Sequence, residues 1–153
     1  DNDKIYFDMA PATGILINHD HLSTVSDRVF CLLLSITQAQ EMWNIGYYKP
    51  DPNAEWCLDR ERNTIWTPDM GHCLKLDQAH GNVNFEKVNP ESSKRKHVRA
   101  LLDNCLIIFP SDLSEISALR RETENIMNLI NQKNITADLA LQKLSGALNT
   151  VKI

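Results

Sequence analysis

The sequence predicts an α+β fold: short N-terminal strands and a β-rich irregular middle packed on a central helix, followed by three C-terminal helices. Three observations predict it. Apolar residues recur every three or four positions through 29–43 and again from 98 to 151, the period of a helix with one buried face. Between these regions, Pro50, Pro52, Pro68, Gly71 and Gly81 cut 49–89 into short runs of strand-like composition. Strand-like runs also precede the first helix, so strands come early and helices late. The 153 residues suit a single domain, 1–153, with a mixed strand and helix part at 1–89 and a helical part at 90–153. A chain of this length buries roughly 70% of its unfolded surface and needs no disulfide or metal to hold its core.

Taken in order, Ile5–Met9 and Gly14–Asn18 read as two strands joined by a turn over Ala10–Thr13. Val29, Leu32, Leu33, Ile36 and Trp43 then define a helix, with Ser26 as its N-cap and Gly46 closing it. That helix is apolar on more than one face, which places it centrally. In the middle, Trp56 and Leu58 face Ile65 across Arg60–Asn63, a hairpin with a four-residue connection. Asn89-Pro90 is an N-cap followed by proline at the first helical position. Val98, Leu101, Leu102, Cys105, Ile108 and Phe109 make the stripe of that helix, and Pro110 stops it. Ser111 opens the next helix, with Ile116, Leu119, Thr123, Ile126 and Ile130 on one face, and Thr136 opens the last, with Leu141, Leu144, Leu148 and Val151.

Composition narrows the function classes. The chain is 42% hydrophobic and 24% charged, as an ordinary globular protein is, and its net charge of −4 gives no general attraction to nucleic acid or anionic lipid. No window reaches the eighteen or so apolar residues of a membrane span, and no signal peptide is visible. The first residue is Asp1 rather than Met, so the expectation is a domain excised from a larger protein. Cys31 and Cys105 fall inside apolar helical runs, where free thiols behave as small core residues. Reduced cysteines imply an intracellular chain, cytoplasmic or nuclear; the even cysteine count and the sequon Asn134-Ile135-Thr136 support a secreted alternative.

Motifs for chemistry are sparse. Cys57, His72, Cys73 and His80 are the candidate zinc ligands, but they lack the closely spaced pairs that structural zinc sites use. A metal-dependent hydrolase or nuclease would draw on His19, Asp20, Asp69 and His72, yet His19-Asp20 has no upstream histidine and neither Pro-Asp pair leads to an acidic-x-Lys triplet. No nucleophile elbow, P-loop or dinucleotide fingerprint occurs, and no cofactor is implied.

Two surfaces stand out instead. Lys94, Arg95, Lys96, His97 and Arg99 crowd a helix start, where the dipole favours acids, so they read either as a plain solvated face or as a phosphate-binding patch for nucleic acid. The stripe Ile116, Leu119, Ile126 and Ile130 reads either as one half of an antiparallel helical hairpin or as a partner-helix face. The expected function is therefore a non-enzymatic protein-interaction or assembly domain, with a protein partner or a homo-oligomer. Nucleic-acid binding through 94–99 is the alternative, and metal-dependent hydrolysis the third reading.

Overall fold

In the computed structural model, residues 15–18, 22, 24–50, 55–59, 61–62, 64–66, 73–77, 88–109 and 114–151 are described. Their order is β1 (Ile15–Asn18), α1 (Val25–Asn44), β2 (Tyr47–Tyr48), β3 (Glu55–Asp59), β4 (Thr64–Trp66), β5 (Leu74–Lys75), α2 (Pro90–Ile108), a 3-10 turn at Ser114–Ile116, α3 (Ser117–Asn131) and α4 (Ala137–Asn149). Among the described residues the fold is mostly helical, which corrects the expected α+β class with a β-rich middle. The strands of the middle segment are two to five residues long. Prolines and glycines that break the helical pattern also break strand ladders, so among the described residues the punctuated segment holds only short strands.

The strands that do form are antiparallel. β3 lies between β1 and β4, with Ile17 opposite Trp56 and Asp59 opposite Thr64. The hairpin expected across 60–63 is the β3–β4 pair, and the backbone N–H of Arg62 donates to Asp59 Oδ1 at 3.2 Å within it. β2 pairs separately with β5. Gly46, at φ 89°, turns the chain out of α1 into β2, a backbone region open to glycine and strained for other residues. The expected strand at Ile5–Met9 and the stop at Pro110 lie outside the described residues.

Buried apolar side chains from all four helices form one cluster, to which the middle segment adds Tyr48 and Leu76 among the described residues. α2 and α4 each pack against the other three helices. Asn89 caps α2 by accepting from the Glu91 N–H, and Thr136 caps α4 by accepting from the Leu139 N–H, both at the positions the sequence marks. The cap of α1 is Thr24, not Ser26: its hydroxyl accepts from the Asp27 N–H at 3.1 Å, which starts the helix two residues earlier.

Helix ends are also capped across the fold. α2 carries no basic residue in its last turn, but Arg120 of α3 donates to the Leu106 carbonyl at 3.0 Å and to that of Phe109, and Arg28 of α1 donates to that of Ile108. Two guanidinium groups thus meet carbonyls that have no partner within the helix and the negative end of its dipole. α3 ends in a Schellman turn, with the Asn134 N–H bonded to the Leu129 carbonyl, the Lys133 N–H to that of Ile130, and Lys133 at φ 58° where glycine is usual.

Candidate functional site

The basic stretch at the start of α2 does not form one patch. Lys94 reaches Asp138 in the first turn of α4 at 3.5 Å and lies 5.3 Å from the centre of the Trp43 ring. Arg95 pairs with Glu91 one turn earlier at 3.7 Å, its Nε buried without a hydrogen-bond partner. His97 is buried, while Lys96 and Arg99 are exposed. The dipole conflict noted in the sequence is offset by nearby acids: Glu91 and Asp138 stand at two adjacent helix starts, where acids are favoured, and the cations lie over them. Glu91 does more, since its Oε1 accepts the Ala137 N–H at 2.7 Å and so caps α4 from α2.

His97 anchors a sealed polar junction between α1, β2 and α2. Its Nδ1 accepts from the Trp43 indole N–H at 3.2 Å and from the Lys49 backbone N–H at 3.3 Å. An acceptor at Nδ1 leaves the proton on Nε2, so the ring is neutral. Burial, reinforced by the nearby Lys49 ammonium, lowers the His97 pKa to about 3. The Trp43 and His97 rings meet edge to face, 5.7 Å apart. Tyr48 hydrogen-bonds Ser93 beside them, and burial raises its pKa. Trp43, Tyr48, Lys49, Ser93 and His97 are all buried, so the junction holds the fold together and offers no surface to a ligand.

The stripe on α3 is buried as well. Ile116, Leu119, Ile126 and Ile130 lie in the chain's own core, with α3 packed on α2 and α4, so the hairpin reading describes them and the partner-helix face does not. Thr123, the polar break in that stripe, is buried and donates to the Leu119 carbonyl at 2.8 Å. Cys105 lies 3.5 Å from the Thr123 hydroxyl, and burial pushes its thiol up to about 11, which makes it a poor nucleophile.

An open groove runs beside that buried stripe, between the start of α3 and the end of α4. It has a volume of about 630 Å³, with Ala118, Leu119 and Glu122 on one wall and Lys143, Gly146 and Ala147 on the other. A β-carbon placed on Gly146 would meet nothing within 4 Å, so no packing inside the chain requires glycine there. Glu122 and Lys143 form no ion pair among the described residues. Sequence reasoning missed this groove because it follows apolar stripes, and apart from Leu119 and Val151 at their edges the groove is lined by residues outside them. A signal was present: Leu139, Lys143, Gly146 and Thr150 are spaced four, three and four apart and share one helical face.

For metal chemistry, Cys57 and Cys73 are partly buried and outside any disulfide, while His19, Asp20, Asp69, His72 and His80 lie outside the described residues. Among the described residues no three His, Cys, Asp or Glu side chains converge as a metal site. None of the described helices is long and apolar enough to cross a membrane. No protein-family model, curated protein or solved structure matches the chain.

Proposed function

We propose that the chain is a non-enzymatic protein-interaction or assembly domain whose contact face is the groove between α3 and α4. The observation that carries this reading is the make-up of that groove. The groove has an apolar floor at Leu119, low walls at Ala118, Gly146 and Ala147, and one unpaired charge on each side. Low walls let another backbone approach closely, an apolar floor contributes desolvation, and rim charges set orientation. Phosphate binding at 94–99 has less support, because Lys94 and Arg95 are engaged by acids and His97 is neutral and buried. Lys96 and Arg99 alone supply few of the cation contacts that drive nucleic-acid affinity.

Site-specific photocrosslinking tests the reading. A photoreactive residue at Ala118, exposed on the groove wall, is expected to give discrete protein adducts in the chain's native cells. The same residue at Arg99, exposed on α2, is expected to give none. Equal labelling from both positions, or no adduct from Ala118, overturns the assignment.

A further inference from the structure

We infer that the occupant of the α3–α4 groove is a second copy of this chain, docked about a two-fold axis; this rests on the groove being the contact face. The charges on the walls carry the inference. Each copy presents one acid, Glu122 on α3, and one base, Lys143 on α4, and neither has an ion-pair partner of its own among the described residues. A two-fold axis sets Glu122 of each copy against Lys143 of the other, so a single operation satisfies all four charges. A groove evolved for a strongly acidic or basic partner would carry one sign of charge, and this one is neutral.

The α4 face adds shape to the charge. Leu139 is 44% exposed and stands one turn before Lys143, which is followed by Gly146 on the same face. Gly146 costs α4 roughly 1 kcal/mol of helix propensity and has open space where its side chain would be. Two α4 helices that cross there can bring their backbones close at Gly146, with Leu139 supplying apolar contact to either side of the crossing. Self-complementary charge, a small residue at the crossing and a flanking exposed leucine are what an isologous helix contact requires.

Charge exchange gives a test specific to this arrangement. Sedimentation velocity over a concentration series should show the wild-type chain in monomer–dimer exchange. Glu122→Lys alone and Lys143→Glu alone each set like charges together twice, and each should weaken dimerisation at least tenfold or so. An equimolar mixture of the two variants restores both pairs and should dimerise as the wild type does, and so should the double variant. Both positions are at the surface, so at concentrations where the wild type is also monomeric the melting temperatures of the variants should match it; Glu122→Gln and Lys143→Gln provide milder versions if one does not. A wild-type chain that stays monomeric throughout, or a dimer indifferent to the exchange, overturns the inference. In the first case, adducts from Ala118 to a different protein would leave the groove as a contact face for another partner. Absence of any adduct would remove both readings.

Discussion

The start of α2 and the groove between α3 and α4 are built from the same materials, helical residues of mixed polarity, and they use them in opposite ways. At the start of α2 the polar groups are turned on one another: Lys94 on Asp138, Arg95 on Glu91, Trp43 and Lys49 on His97. In the groove, Glu122 and Lys143 are left facing outward over small side chains. Three of the five residues in the dense cluster, Lys94, Arg95 and His97, therefore serve as internal wiring, while Lys96 and Arg99 stay exposed on the outer face. Charge density alone does not distinguish the two; whether each charge already has a partner does.

The contrast breaks most visibly at Trp43. Trp43→Ala removes a buried ring, the ring beneath the Lys94 ammonium and a donor to His97, so it should cost about 3–5 kcal/mol, read from urea denaturation. An outcome below about 1 kcal/mol would mean that the junction is not a structural centre.

Acid probes the same junction more gradually, with a loss spread over several pH units. The His97 pKa is about 3 in the folded chain against an ordinary 6.5, so below pH 6.5 the unfolded chain takes up a proton that the folded one refuses. Stability is fully present above pH 6.5 and falls by as much as about 1.4 kcal/mol per pH unit as the pH drops toward 3. Urea midpoints at descending pH should follow that slope in the wild type and be flatter in His97→Gln. Equal slopes would exclude His97 as the group responsible.

The groove gives the smallest change and the opposite sign. Gly146→Ala should stabilise α4 by about 0.5–1 kcal/mol, measured as a rise in melting temperature of the isolated chain, because nothing inside the chain occupies the space. A loss of stability there would show that glycine is needed for folding and would undercut the groove as a free surface.

How much of this was legible in the sequence depends on the range of each interaction. Asn89, Pro90 and Thr136 are local signals, and α2 and α4 start where they place them. α3 carries the stripe from Leu119 to Ile130 but starts at Ser117, after a 3-10 turn at Ser114–Ile116, while Ser111 lies outside the described residues. The Glu91–Arg95 pair spans one helical turn and was visible in principle as an i, i+4 pair. Lys94 with Asp138 and Trp43 with His97 join residues 44 and 54 positions apart, which no local pattern encodes. The middle segment misled for the converse reason: prolines and glycines say where regular structure stops, not how much of it forms between them. The groove escaped because it is defined by missing side-chain volume at Ala118 and Gly146, and periodicity arguments register only residues that fill a core.

The caps that cross between helices also bear on how the chain can be divided. Composition suggests a seam at residue 89, between a mixed part and a helical part. Yet Arg28 holds the Ile108 carbonyl from one side of that seam to the other, and Trp43 and Lys49 both lean on His97 across it. A helical piece cut at 89 would expose a carbonyl at the end of α2, strip two donors from a buried imidazole and uncover the face that α1 occupies. The two halves on either side of 89 are tied by these contacts, so excision there should destabilise the helical piece rather than release an independent module.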